Sequence, residues 1–112
     1  MLGFNLYLND ILRAIKLIEK STKSKSFEEF KSNDELRDAT SMRFQIIGES
    51  INKLGKKIQE KYKAVDWQRY LQTRNIISHA YFAVSAEIIW DIIKKDLLIF
   101  KKQILKIKKD LN

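Results

Sequence analysis

Apolar residues return every three or four positions along nearly the whole chain. Phe4, Leu8, Ile11, Ile15 and Ile18 stand 4, 3, 4 and 3 residues apart, while Arg13, Lys16, Glu19 and Lys20 fall off that line. One apolar stripe of this period predicts an amphipathic helix from about Phe4 to Lys20. The polar stretch Ser21 to Ser26 reads as a turn. Ser26 is placed to cap a short helical turn holding Phe27 and Phe30, with Glu29 completing a capping box. The next helix is expected to begin near Asn33 or Asp34 and to run to about Tyr62. Its apolar positions are Leu36, Ala39, Phe44, Ile47, Ile51, Leu54 and Ile58. Gly48 sits inside that pattern at a helix-propensity cost of ~1 kcal/mol, which points to close approach by a neighbouring helix. Gly55 marks a kink or break. Asp66 is an N-cap candidate for a helix holding Trp67, Tyr70, Leu71 and Arg74 and ending near Ala80. Ser85 then caps a last helix, with Glu87 in its first turn. Ile89, Ile93, Leu97, Phe100, Ile104, Ile107 and Leu111 follow at 4, 4, 3, 4, 3 and 4, a continuous stripe over roughly 25 residues. Four principal helices with short connections imply an all-α, mostly antiparallel four-helix bundle.

Composition narrows the chemistry. A chain of 112 residues, 45% hydrophobic and 32% charged, fits one globular domain spanning residues 1–112. With no cysteine there are no disulfides, thiolate metal sites or cysteine nucleophiles. His79 is the only histidine, so a zinc site would need carboxylates for its other ligands; no metal and no cofactor are expected. No proline and only 3 glycines leave no Gly-rich phosphate loop. The longest apolar run, Ala80 to Val84, is far short of a membrane span, and the first ten residues lack the pattern of a signal peptide. A cytoplasmic protein is the expectation. The net charge of +8 favours an anionic partner, nucleic acid first and acidic protein second. Lys94 to Lys109 holds seven lysines against one acid, Asp96, either a solvated helix face or a surface for RNA or a partner.

The segment richest in chemistry is Arg74-Asn75-Ile76-Ile77-Ser78-His79-Ala80-Tyr81-Phe82. On a helix Asn75 and His79 lie one turn apart on the same face, so the amide can orient the imidazole and fix which ring nitrogen is free. Arg74 lies about 140° from His79, so its long side chain, a distorted turn or a second subunit must bring the two together. Read alone, His79 is either a hydrogen-bonded residue at a helix end or a catalytic group.

The ordered set of motifs resembles the HepT-like ribonuclease toxins of the HEPN (higher eukaryotes and prokaryotes nucleotide-binding) superfamily. Their signature is an Arg, usually followed by a polar residue, then a His after four to six intervening residues and a Tyr two positions further. Here it reads Arg74, Asn75, His79 and Tyr81. Tyr7-Leu8-Asn9-Asp10-Ile11-Leu12, Ile47-Gly48-Glu49-Ser50, Trp67, Ile89-Trp90 and Asp96-Leu97-Leu98 resemble the family's other segments, so the likeness covers nearly the whole chain. Departures are the missing proline before the Trp, Ala80 in place of an acidic residue, and Ser50 in place of Ala.

The resemblance implies a single HEPN domain acting as a metal-independent endoribonuclease, with Arg74 and His79 catalytic. The RNA 2′-hydroxyl would attack the adjacent phosphorus, one base taking its proton and one acid protonating the leaving 5′ oxygen. One chain offers one histidine, so the two tasks argue for a homodimer that brings two histidines and two arginines to one cleft. Asn75, Ser78 and Glu49 are supporting or RNA-contacting candidates; Glu49 has Arg74 and Arg43 as possible ion-pair partners. Tyr81 is suited to stacking on a base or to packing as a half-buried aromatic. The resemblance adds a further role, in which a partner minimal nucleotidyltransferase, the antitoxin, transfers AMP onto Tyr81. The competing reading is a non-catalytic binding module that holds a nucleotidyltransferase or RNA without cutting.

Overall fold

The computed structural model describes residues 2–79 and 86–112. Among the described residues the chain is helical and has no strand. The helices are α1 (Leu2–Thr22), α2 (Phe27–Ser32), α3 (Asp34–Leu54), α4 (Lys56–Lys61), α5 (Trp67–His79), α6 (Ala86–Asp91) and α7 (Leu97–Asp110). A π-helical turn, Ile92–Asp96, joins α6 to α7 in one rod. That rod, α1, α3 and α5 make the expected all-α bundle, and α2 and α4 are the short turns between its members. α3 packs against α1 on one flank and α5 on the other, and α1 also meets α7. Arg43 bonds to Ser21 while Lys53 lies over the Tyr7 ring, so α1 and α3 are antiparallel. Glu19 pairs with Lys101 while Asn5 bonds to Asn112, so α1 and α7 are antiparallel as well.

The expected start signals operate. Ser26 Oγ accepts from the Glu29 amide and the Glu29 carboxylate accepts from the Ser26 amide. Those bonds hold the Glu29 carboxyl below its ordinary pKa, the backbone bond most. Asn33 accepts from the Leu36 amide, and Asp66 from the Arg69 amide. The Ser85 cap falls outside the described residues.

Two expectations change. The second long helix does not run unbroken to Tyr62: it stops at Leu54, at the break that Gly55 was expected to mark, where the chain turns at φ +87°, a region that favours glycine. The last helix is not one regular stripe. Ile89 to Leu97 spans eight residues, which an α-helix carries about 80° past register. The wider π turn absorbs the surplus, and Ile92 rather than Ile93 takes the fully buried position.

The core is mostly aliphatic. Leu8, Ile11, Ile15 and Ile18 of α1 are buried with Phe44, Ile47 and Ile51 of α3. Tyr70 of α5 stacks on Phe100 of α7 with centroids 3.9 Å apart, and Trp67 meets the same ring edge-on at 6.3 Å. These contacts anchor the N-terminal half of α5, and its C-terminal half carries the candidate site.

Candidate active site

α5 turns Tyr70, Thr73 and Ile77 into the core. Arg74 lies beside that buried line, its side chain 30% exposed. Its stem crosses α3 at Gly48, where a Cβ would stand 2.5 Å from Arg74 Cβ and 2.7 Å from Cγ. Gly48 therefore is the point of close approach that its place in the helix pattern predicted. Glu49, the next residue, brings its carboxylate 3.7 Å from the Arg74 guanidinium. Arg74 Nε is buried and has no hydrogen-bond partner among the described residues.

Of the two candidate partners for Glu49, Arg74 is the one engaged. Arg43 instead donates to the Leu17 carbonyl at 3.2 Å and to Ser21 Oγ at 3.1 Å, tying α3 to the C-terminal part of α1. Asn75 and Ser78 are exposed. Asn75 and the backbone of His79, the last residue of α5, are one turn apart, as the spacing predicts. The His79 side chain, and with it any bond from Asn75 to the imidazole, lies outside the described residues. So do Ala80 and Tyr81. The described part of the site thus unites Arg74, Glu49 and Gly48 at the seam of α3 and α5, with Asn75 and Ser78 exposed on the same helix.

A charged cluster that the helix pattern did not predict lies nearer the start of α5. Arg69 Nε donates to Asp96 at 2.7 Å and approaches Asp91 at 3.9 Å, and Lys95 bonds to Asp91 at 2.9 Å. The bond to Asp91 holds the Lys95 ammonium above its ordinary pKa. The π turn brings Asp96 to Arg69; the only signal in the sequence was the pair of successive four-residue spacings. Behind this cluster burial, and then the Asp96 charge, push the Tyr70 phenol well above its ordinary pKa. The lysine-rich face is partly engaged: Lys101 pairs with Glu19 at 2.9 Å and Lys94 lies 4.5 Å over Trp90.

Among the described residues no three His, Cys, Asp or Glu side chains are grouped so as to hold a metal ion. No helix among them is long and apolar enough to cross a membrane. What the described geometry offers is a partly exposed guanidinium, seated from below, with a carboxylate as its loose counter-ion. Such a planar group suits an oxyanion such as phosphate, two of whose oxygens it can meet with parallel hydrogen bonds.

A family model described as "Ribonuclease HepT-like" matches residues 11–107. The chain belongs to the HepT-like ribonuclease family. It is 39% identical over 107 residues to a Methanocaldococcus jannaschii protein named "Gamma-glutamylcyclotransferase and putative RNase", covering 96% of this chain and 48% of that one. The chain therefore spans about half the length of that relative. It is 30% identical over 103 residues to "Probable ribonuclease HepT" of Thermococcus cleftensis, covering 92% of this chain and 94% of the relative. No solved structure matches the chain. HepT-like membership agrees with the helical bundle and with the Arg74-to-Tyr81 motif on which the resemblance rested.

Proposed function

We propose that this HepT-like chain is a metal-independent endoribonuclease and the toxin of a toxin–antitoxin pair, with Arg74 and His79 as its catalytic residues. The observation that carries the reading is the state of Arg74. It is an arginine 30% exposed, its guanidinium end held only by a 3.7 Å contact to Glu49, five residues before the single histidine. The loose Glu49 contact leaves the partly exposed end of the guanidinium able to meet a phosphate.

In the proposed reaction the RNA 2′ oxygen forms a bond to the adjacent phosphorus as a base removes its proton. The bond from phosphorus to the 5′ oxygen breaks, and an acid protonates that oxygen. His79 suits either role because an imidazole titrates near pH ~6.5. Arg74 stabilises the negative charge that gathers on the phosphoryl oxygens. Asn75 and Ser78 orient the imidazole or hold RNA.

Two proton transfers and one histidine per chain favour a homodimer. An exposed apolar pair on α3 supports it: Met42 is 58% and Ile46 38% exposed, on the helix face that also bears Glu49. A second copy laid there would bury both side chains beside the Arg74 site. In the same reading a minimal nucleotidyltransferase antitoxin adds AMP to Tyr81, putting bulk and negative charge where RNA phosphate must sit. The protein acts in the cytoplasm.

Purified protein incubated with total RNA is expected to cut it in the presence of chelator, while folded Arg74→Ala and His79→Ala variants do not. Full cleavage by a folded His79→Ala variant would overturn the assignment and favour a binding module. For Tyr81, incubation with the partner and ATP followed by mass spectrometry is expected to find adenylate on that residue. Adenylate on Tyr7, Tyr62 or Tyr70, with Tyr81 untouched, would count against it.

A further inference from the structure

Gly48 is not required by the backbone. Gly55 is the only described residue with positive φ, so a side chain at position 48 meets no conformational penalty and even favours the helix. What excludes a side chain is Arg74. An added Cβ would lie 2.5 Å, 2.7 Å and 3.4 Å from its Cβ, Cγ and Cδ. The first two atoms belong to the stiff base of the side chain, so the arginine can escape only by moving α5 or abandoning its rotamer.

Glu49 lies at the other end of the same side chain. Its contact, 3.7 Å, is longer than the ~2.8 Å of a charge-assisted hydrogen bond, and the carboxylate is 51% exposed. A pair this open is weakly held. An RNA phosphate can exchange the loose contact for a short, two-pronged one at the same guanidinium.

We propose that Gly48 and Glu49 are positioning residues for Arg74: Gly48 seats its stem, and Glu49 occupies the place of the RNA phosphate until substrate displaces it. The proposal rests on the ribonuclease reading above for its substrate. Its geometry does not depend on cleavage, and it explains why a glycine and an acid adjoin on α3 opposite one arginine. The carboxylate holds the guanidinium at the α3–α5 seam in the free protein. It also lowers affinity for polyanions, because binding must break the pair.

The seat is tested by unfolding the full chain in urea. Gly48→Ala is expected to lower the midpoint. In an Arg74→Gly background, where Cβ, Cγ and Cδ are gone, the same change should have no cost or should raise the midpoint. An equal loss in both backgrounds would show that Gly48 makes room for something else. If Gly48→Ala alone fails to fold, recovery of the fold in the double variant supports the seat and its absence overturns it.

On RNA, Gly48→Ala must push Arg74 back by about 1 Å to reach ordinary contact. A displacement of that size costs up to ~10²-fold in rate. A drop in kcat of tenfold or more, with KM within threefold and helicity intact, is the expected split; unchanged kcat would overturn the seating role.

The stand-in role is tested by binding, using an RNA oligonucleotide made uncleavable by 2′-deoxy substitution. Glu49→Gln should tighten its Kd several-fold, and that gain should vanish in an Arg74→Ala background. Equal tightening in both backgrounds would reduce Glu49 to bulk negative charge, and weaker binding would make it an RNA contact. If the wild-type chain cuts no RNA, the ribonuclease reading fails, while the unfolding cycle and the binding cycle still decide the proposal.

Discussion

α3 carries an arginine contact on each flank, and the two are opposites. On the α1 side, Arg43 donates to the Leu17 carbonyl and to the Ser21 hydroxyl, which itself bonds to Leu17 O at 2.9 Å. The surrounding seam is apolar and fully buried, with Ile11, Ile15, Ile18, Phe44, Ile47 and Ile51. On the α5 side, Arg74 crosses a glycine, keeps an unpartnered nitrogen and touches one half-exposed acid. Small and polar groups, Ser41, Gly48 and Thr73, are buried there. The first seam is complete within the fold. The second leaves a buried nitrogen unpaired, which costs stability, and holds the guanidinium end by one open contact that a ligand can displace.

Exchange of the two arginines for alanine sets that contrast its hardest test. Arg74→Ala should cut the rate of RNA cleavage by ~10³-fold, the scale of losing one transition-state donor, with little change in the urea midpoint. Its stability is nearly neutral because the lost ion pair is long and open. Arg43→Ala should do the reverse. Loss of two partly buried bonds from a charged donor costs about 1–2 kcal/mol of stability. Below its unfolding midpoint the variant should retain kcat. Rate and midpoint measured on both variants separate the roles. If Arg43→Ala lost rate at full stability, or Arg74→Ala unfolded the bundle, the division between the two flanks would collapse.

Much of this contrast could be read from the residues themselves. Hydrophobic period located α1, α3 and α5, because these helices bury one regular face and expose the other. Caps at Ser26, Asn33 and Asp66 were legible because a side-chain oxygen at a helix start has few competing uses. Gly48 announced a close approach, since a helix accepts its cost only for space. The partner at that approach was not legible: nothing in the order of residues says that Arg74, rather than another α5 side chain, crosses position 48. The choice of Arg74 over Arg43 for Glu49 likewise depends on which flank of α3 each helix takes. The π turn was missed because a stripe at 4, 4, 3 still looks helical, although its register drifts. Its consequence, Asp96 reaching Arg69 across 27 residues, depends on tertiary packing alone.

The buried line of α5, beside Arg74, supplies the smallest and most specific test. Tyr70 is 2% exposed, and its hydroxyl has no hydrogen-bond partner among the described residues. Like Arg74 Nε it is a buried polar group with no partner among the described residues, but the whole Tyr70 side chain lies in the core, whereas that of Arg74 is 30% exposed. Its oxygen should therefore contribute nothing to cleavage and little to stability. Tyr70→Phe keeps the ring stacked on Phe100 and removes only the oxygen, so at pH 7 it should match the native chain or exceed it by up to ~1 kcal/mol. The alkaline limb is more telling. Burial raises the folded phenol above its ordinary value, so the unfolded chain, ionising near pH ~10, loses this proton first. The contribution is therefore fully present below that pH and is lost as pH rises through the higher folded value. The native chain should weaken more steeply than Tyr70→Phe above pH ~10, with cleavage at pH 7 equal in both. Urea unfolding of the two proteins at neutral and alkaline pH reads the difference in slope directly. Parallel slopes would mean that the phenol already ionises in the fold, and a loss well over ~1 kcal/mol at pH 7 would mean that its hydroxyl has a partner after all.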